Sequence, residues 1–295
     1  MGFLCDRHTR VLVQGITGNF GRTQARLMLD YGTQIVAGVT PGKAGEIVEG
    51  VPVYDSVFAA AVEHAPIDAS VVYVPARFAR AAIEEAISAQ VPLIVVITEG
   101  IPLYDEMYAC ELARKSGVWL IGPNCPGIMV PGETSLGMIP PSSTSPGSIA
   151  VLSRSGTLTF EITKVLSDAG LGQSVCVGIG GDRVIGRDFT DYLRLAEQDA
   201  SSRAIILVGE IGGDAEEKAS GVIRNEISKP VVSLLVGRHA PRGRRMGHAG
   251  AMISGNTGTI ESKEAALTSA GVHMVNYLWE LPEAVLELGV LDAAS

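Results

Sequence analysis

The sequence predicts an α/β protein built from two successive parallel-sheet units, and three observations predict it. Short runs that are apolar throughout alternate with helical patterns, as strands buried on both faces of a parallel sheet require. A stretch rich in proline and glycine over residues 122–147 breaks that rhythm, which then resumes. Thirty-five glycines in 295 residues, several directly after strand-like runs, suit the tight turns of nucleotide-binding α/β folds.

In the first unit the apolar runs place strands at 10–14, 34–39, 69–74, 93–97 and 119–121, with helices near 21–31, 56–64, 76–89 and 104–116. The second unit reads as strands at 148–152, 174–178, 204–209 and 231–236, with 272–275 a weaker one. Its helices fall near 157–169, 189–198, 214–226 and 260–270. The expected division is a domain over 1–122, a linker over 123–147 and a second domain over 148–295. Right-handed crossovers then put the functional loops at the carboxyl ends of the strands.

Composition narrows the function. Hydrophobic residues make up 46% of the chain and charged ones 19%, which supports packed cores and argues against a disordered polymer. A net charge of −9 disfavours nucleic acid and anionic membrane as partners. No apolar run reaches membrane-spanning length, and Cys5, Cys110, Cys125 and Cys176 lie far apart without a CxxC pair. The expectation is a reduced, cytoplasmic protein with no metal site of its own. Arg238, Arg242, Arg244 and Arg245 crowd one stretch, which suits either a local anionic ligand or a solvated loop.

The first strand runs into Gln14-Gly15-Ile16-Thr17-Gly18-Asn19-Phe20-Gly21 and then a helical pattern. Glycines at 15, 18 and 21 allow a tight turn, backbone approach to a phosphate and close helix packing, with the helix N-terminus adding free N–H groups. A purely structural turn is the competing reading. A dinucleotide site needs an acid at the end of the second strand, but the chain there reads Val39-Thr40-Pro41-Gly42-Lys43. A lysine at that place instead suits a phosphorylated nucleotide such as coenzyme A, so NAD is disfavoured. Tyr73-Val74-Pro75 and Ile97-Thr98-Glu99-Gly100 fall on the same rim, where Thr98 and Glu99 serve either as ligand contacts or as helix caps.

Three further pieces sit where strands of the second unit should end. Ser153-Arg154-Ser155-Gly156-Thr157 opens a helix with small hydroxyls and a glycine, a cradle for an oxyanion or phosphoryl group, or an ordinary N-cap by Ser155. Gly209-Glu210-Ile211-Gly212-Gly213 puts a carboxylate where a turn would favour Asn, Asp or Ser. Gly247-His248-Ala249-Gly250 presents an uncrowded imidazole. One imidazole nitrogen can act as nucleophile while the other donates to a carboxylate, for which Glu210 is the candidate. A phosphoryl group so acquired would rest on the helix start at 155–157 and pass to an acid, giving an acyl phosphate open to a thiol.

With Gly122-Pro123-Asn124-Cys125-Pro126-Gly127 and Gly178-Ile179-Gly180-Gly181-Asp182 added, these motifs run in order through nearly the whole chain. Together they resemble the α subunit of succinyl-CoA synthetase. The resemblance implies a Rossmann-like CoA-binding domain followed by a flavodoxin-like domain carrying a phosphohistidine. It implies a β subunit that supplies an ATP-grasp site for ATP or GTP with Mg²⁺, a small carboxylate substrate (succinate first), and a place in the tricarboxylic acid cycle. Carried over by position, His248 takes the phosphoryl group, Glu210 holds it, and Ser155, Gly156 and Thr157 cradle the phosphate. Coenzyme A would be met by Gly15, Thr17, Gly18, Asn19, Phe20, Val39, Pro41, Lys43, Tyr73, Pro75, Ile97, Thr98, Glu99 and Asn124.

Some positions depart from the family pattern. Phe160 replaces a tyrosine that helps bind substrate, removing a hydrogen-bond donor worth on the order of 1 kcal/mol. Arg183 follows Gly181-Asp182 where proline is usual, a feature shared with ATP-citrate lyase and citryl-CoA synthetase. Asn19 and Gln24-Ala25 also differ. The reaction class survives these changes, while citrate or malate stands beside succinate as the acid. The readings from other classes are a CoA-binding regulatory protein without catalysis and an NAD-dependent dehydrogenase.

Overall fold

In the computed structural model, which describes residues 3–238, 240, 247–251 and 258–289, the chain forms two seven-stranded sheets flanked by helices. The first sheet contains β1 (Arg10–Gln14), β2 (Gln34–Val39), β3 (Ile47–Val48), β4 (Val51–Tyr54), β5 (Ala69–Val72), β6 (Leu93–Val96) and β7 (Trp119–Ile121), in the order β3-β4-β2-β1-β5-β6-β7. All its pairings are parallel except the β3–β4 hairpin. Setting aside that hairpin strand, the order is the 3-2-1-4-5-6 of a Rossmann sheet. Its helices are α1 (Asn19–Tyr31), α2 (Val57–His64), α3 (Ala76–Ser88) and α4 (Leu103–Lys115).

The second sheet contains β8 (Gly127–Val130), β9 (Thr134–Gly137), β10 (Pro146–Ser153), β11 (Gln173–Gly178), β12 (Ala204–Glu210), β13 (Val231–Val236) and β14 (His273–Val275), in the order β14-β13-β12-β10-β11-β8-β9. Strands β10 to β14 are parallel in the flavodoxin-like order 2-1-3-4-5, and β8 and β9 extend the edge antiparallel. Helices α5 (Gly156–Asp168), α6 (Phe189–Gln198), α7 (Ala215–Glu226), α8 (Ile260–Ser269) and α9 (Leu281–Glu287) complete this unit. The two-unit α/β expectation therefore holds. Among the described residues no helix is long and apolar enough to cross a membrane.

The segment 123–147, expected as a linker, is the main correction. Strands β8 and β9 lie inside it, and β8 bonds to β11 through Met129 and Ile128. Its prolines flank the strands rather than interrupt them, which is where a sheet tolerates proline. The hairpin at its edge also grips the first unit: Thr33 Oγ1 donates to the Ser135 carbonyl at 2.9 Å, and the Tyr73 hydroxyl donates to the Gly137 carbonyl at 2.9 Å. One apolar cluster runs through both units, from Val13 and Val95 to Leu152 and Leu207, so the seam is packed core.

In each sheet the chain reverses direction across the sheet at its central strand. Strand β1 sends one connection to β2 and the next to β5 on its other side; β10 does the same between β11 and β12. Crevices open at the carboxyl ends of such strands. In the first sheet the crevice depends on Gly21, where a Cβ would lie 2.3 Å from the Gly15 carbonyl oxygen. Gly21→Ala raises intrinsic helix propensity by up to about 1 kcal/mol, but the clash is with backbone that cannot yield. Overpacking should win, with a net loss of about 1–3 kcal/mol. A melting temperature several degrees below wild type is expected, and an equal or higher one would contradict this reading of the loop.

Candidate functional site

The loops after β10, β11 and β12 and the segment 247–251 meet in one place. Pairing of Ser153 with Val208 brings the end of β10 beside the end of β12, so Arg154 and Glu210 become neighbours. Glu210 closes β12 and is 6% exposed. Its backbone N–H donates to Glu216 Oε1 at 3.0 Å. Glu216, on the first turn of α7, is held in turn by the fully buried Lys263 of α8. Gly209 must be glycine here, because a Cβ would meet Glu216 Oε1 at 2.5 Å.

The Glu210 carboxylate faces two cations or potential cations. Its Oε2 lies 2.7 Å from His248 Nδ1, and its Oε1 lies 3.3 Å from Arg154 Nε. The arginine contact is an ion pair without hydrogen-bond geometry, since both atoms lack a hydrogen-bond partner. A carboxylate can only accept, so the short contact puts a proton on His248 Nδ1 and leaves Nε2 available in the neutral ring. The hydrogen bond that His248 donates to Glu210 raises the His248 pKa above the ordinary imidazole range; partial burial and the Arg154 charge oppose that, and the Glu210 and Asp182 charges add to it.

The imidazole rests on the turn after β11. A Cβ on Gly181 would come within 2.6 Å of His248 Cγ, so only glycine lets the ring lie there. The same turn is tied to its surroundings by Arg154 Nη2, which donates to the Asp182 carbonyl at 2.9 Å, and by the Gly250 N–H, which donates to Gly181 O at 3.2 Å. Asn124 Nδ2 donates to Asp182 Oδ1 at 3.1 Å from the first unit's side.

A cleft of about 1260 Å³ joins this centre to the rim of the first sheet. Of the positions expected to carry function, His248, Gly156, Thr157, Phe160, Phe20, Tyr73, Pro75, Ile97, Thr98, Glu99 and Asn124 all line it. Several are committed elsewhere. Ser155 caps α5, its hydroxyl accepting from the Leu158 N–H at 3.3 Å, and it does not line the cleft. Thr98 Oγ1 donates to the Val74 carbonyl at 2.7 Å, and the Tyr73 hydroxyl is bound to Gly137. Gly15, Thr17, Gly18, Asn19, Val39, Pro41 and Lys43 do not line the cleft; they fall at the end of β2, at the start of α1 and in the loops beside them. Lys43 is exposed and pairs with Glu46 at 2.9 Å, while Thr17 Oγ1 meets Thr40 Oγ1 at 3.1 Å.

The α1 start nevertheless keeps the properties of an anion site. Its N-cap is Gly18, with no side-chain cap hydrogen bond, so the first-turn N–H groups are not consumed by a side chain. Gly15 has φ +83° and sits 3.2 Å, by its virtual Cβ, from the Tyr73 and Val74 backbone. Phosphates of a nucleotide fit such a loop. Glu106, Asp182 and Arg183 also line the cleft and were not singled out as ligand contacts by the sequence. Of the arginine cluster, Arg238 pairs with Glu264, and Arg242, Arg244 and Arg245 lie outside the described residues.

The CoA binding domain family matches residues 6–100, and the CoA-ligase family matches residues 152–273. ADP-forming succinate–CoA ligase subunit alpha 2 of Archaeoglobus fulgidus is 53% identical over 288 residues, covering 98% of this chain and 100% of that protein. The corresponding alpha subunit of Methanothermobacter thermautotrophicus is 50% identical over 284 residues, covering 96% of this chain and 94% of that one. Among solved structures, ATP citrate lyase from Methanothrix soehngenii in complex with citrate and coenzyme A superposes with a TM-score of 0.88 at 25% identity. The match covers 98% of this chain and 52% of that one, so the chain spans about half the length of that lyase.

The His248–Glu210 contact has a measurable signature. Because the folded-state pKa of His248 is raised, the pair's contribution to stability is complete below the unfolded imidazole value and is lost as pH rises through the folded one. In Glu210→Gln the principal raising influence goes, and the His248 midpoint followed by NMR of its Cε1–H should fall toward or below the ordinary value. A midpoint unmoved by the substitution would mean that the two side chains do not meet.

Proposed function

This chain belongs to the succinate–CoA ligase α-subunit family, and from that membership we propose that His248 is the phosphoryl carrier of an acid–thiol ligation. As a ligase subunit it combines a CoA-binding domain with a CoA-ligase domain, and the α-subunit names of its relatives imply a β partner. The observation that carries the mechanistic reading is that His248, held by the buried Glu210 behind it, shares one cleft with Gly156 and Thr157 of the α5 start, and that this cleft also opens on the CoA-binding unit.

In the proposed sequence, Nε2 of neutral His248 attacks the γ-phosphorus of a nucleoside triphosphate, and the diphosphate leaves. Glu210 keeps Nδ1 protonated and stabilises the positive charge that the ring gains on becoming phosphorylated. The Gly156 and Thr157 N–H groups at the start of α5 favour the transferred phosphate through the helix dipole. A carboxylate oxygen of the acid then attacks phosphorus, freeing the imidazole and forming an acyl phosphate. The coenzyme A thiol attacks the acyl carbon, and phosphate departs.

Residues of the first unit fit the coenzyme. The uncapped start of α1 and the Gly15–Gly18 loop suit its phosphates, and the apolar rim of Phe20, Ile97 and Pro75 suits its less polar portion. Its bound role is to supply the thiol nucleophile. ATP or GTP with Mg²⁺ is assigned to an ATP-grasp site on the β subunit. The acid is proposed to be succinate, as the relatives' names suggest. Citrate or malate is a second reading, favoured by Arg183, a cation on the cleft wall, and by Phe160 at a position where a hydroxyl is lost.

The reconstituted two-subunit enzyme incubated with γ-labelled ATP should acquire an acid-labile label on this chain. His248→Asn should abolish it, and an undiminished label would remove the assignment. Assaying CoA-ester formation with succinate, malate and citrate should show the highest kcat/KM for succinate; a preference of tenfold or more for citrate, about 1.4 kcal/mol in transition-state binding, would establish the second reading instead.

A further inference from the structure

Two fully buried charges stand behind Glu210, and the phosphoryl chemistry gives them no role. Glu216, on the first turn of α7, and Lys263, on α8, are each 0% exposed. The Lys263 ammonium donates to Glu216 Oε2, to Glu217 Oε2 at 3.2 Å and to the Gly213 carbonyl at 3.3 Å, so its three protons are all used. Glu217 Oε1 accepts in turn from the Ser262 hydroxyl at 2.6 Å. Other cations nearby answer other acids: Lys218 pairs with Asp214 at 2.9 Å, and Arg238 pairs with Glu264.

A buried ion pair is not by itself a source of stability, since an apolar pair of similar volume often does as well. This carboxylate supplies something an apolar side chain cannot. The Ile211 N–H donates to the Val236 carbonyl of β13 at 3.2 Å, and alternation along the strand turns the Glu210 N–H toward β10. On that side the last backbone bond runs from the Arg154 N–H to the Val208 carbonyl at 3.1 Å. Beyond it β10 has left the sheet: the Ser155 N–H donates to Ser153 Oγ at 3.1 Å, and α5 begins. Glu216 Oε1 takes the acceptor place a strand would have filled, 3.0 Å from the Glu210 nitrogen, and the missing Cβ of Gly209 gives it room.

The same cluster reaches the chain that returns from His248. The Gly212 N–H donates to the Gly258 carbonyl at 2.8 Å, and a Cβ on Gly258 would lie 2.7 Å from Gly212 Cα. Thr259 then caps α8, its hydroxyl accepting from the Ser262 N–H at 3.2 Å, directly before Lys263. We propose that Glu216 and Lys263 are positioning residues for the phosphoryl centre: Glu216 acts as the missing strand for the Glu210 N–H, and Lys263 neutralises and aims Glu216, so that the Glu210 carboxylate meets His248 Nδ1. Neither residue lines the cleft, so both act through Glu210. The inference rests on the reading of His248 as the phosphoryl carrier.

Two double variants separate positioning from stability. Glu216→Met with Lys263→Met removes both buried charges together, while Glu217, partly exposed, keeps Ser262 and water as partners. Its melting temperature should stay within about 5 °C of wild type. Histidine phosphorylation of the reconstituted two-subunit enzyme by γ-labelled ATP should nonetheless slow by about tenfold or more. The His248 NMR midpoint should fall toward the ordinary imidazole value, as in Glu210→Gln, although Glu210, Arg154, Asp182 and Arg183 around the ring are unaltered. Glu216→Gln with Lys263→Met keeps a carbonyl oxygen for the Glu210 N–H and should recover most of both losses.

An apolar double variant that phosphorylates at the wild-type rate, or whose midpoint does not move, would overturn the positioning role. So would an amide-bearing variant no better than the apolar one. If wild-type enzyme is not phosphorylated on histidine at all, the reading of His248 fails, while the midpoints still decide whether Glu216 places Glu210 against the ring. Should the apolar variant not fold, the amide-bearing one decides. Its Glu210 amide proton should resonate upfield of the wild-type one, which is bound to a charged acceptor, with the His248 midpoint kept near wild type. Equal amide shifts, or a midpoint as low as in Glu210→Gln, would overturn the proposal.

Discussion

A carboxylate buried at the end of a central strand is the constraint around which the ligase unit is arranged. Removing an anion from water costs several kcal/mol unless it is paired and hydrogen-bonded. Glu210 is offered an imidazole on one oxygen and a guanidinium on the other, while its own N–H is taken by Glu216. Those demands fix much else: the adjacency of β10 and β12, the glycine at 209, and the buried Lys263 that neutralises Glu216. An imidazole held this way has one nitrogen committed and one free, which is the state a nitrogen nucleophile needs.

The second constraint is that the cleft belongs to both units. Neither sheet alone encloses it. The β8–β9 hairpin carries backbone from the first unit to the edge of the second sheet, and Tyr73 and Thr33 bond to it from the other side. Arg187 of the second unit stacks over Trp119 of the first with 4.8 Å between guanidinium carbon and ring centroid, a further contact across the seam. His248 and the first sheet's rim thus face one cleft.

Much of this was legible in the sequence. Strands at 10–14, 34–39, 119–121 and 231–236 occur at the predicted residues, because uninterrupted apolar runs leave a buried parallel strand little freedom of register. The hairpins β3–β4 and β8–β9 escaped notice: both are short, and prolines in or beside them imitate a loop. Glu210 and His248, 38 residues apart, were paired on chemical grounds and meet as expected. Ser155 was read either as a phosphate contact or as an N-cap, and its hydroxyl caps α5. Glu106, which lines the cleft, was not picked out, although a signal existed. It occupies the first place of the buried stripe Glu106, Ala109, Cys110 and Ala113 on α4, where an acid has no ordinary reason to be.

Everything in the proposed chemistry depends on which imidazole nitrogen carries the proton, and ¹⁵N NMR of labelled histidine reads that directly. Above the His248 titration midpoint, the account predicts a protonated Nδ1 and a bare Nε2. A ring protonated at Nε2, with Nδ1 bare against Glu210, would contradict it.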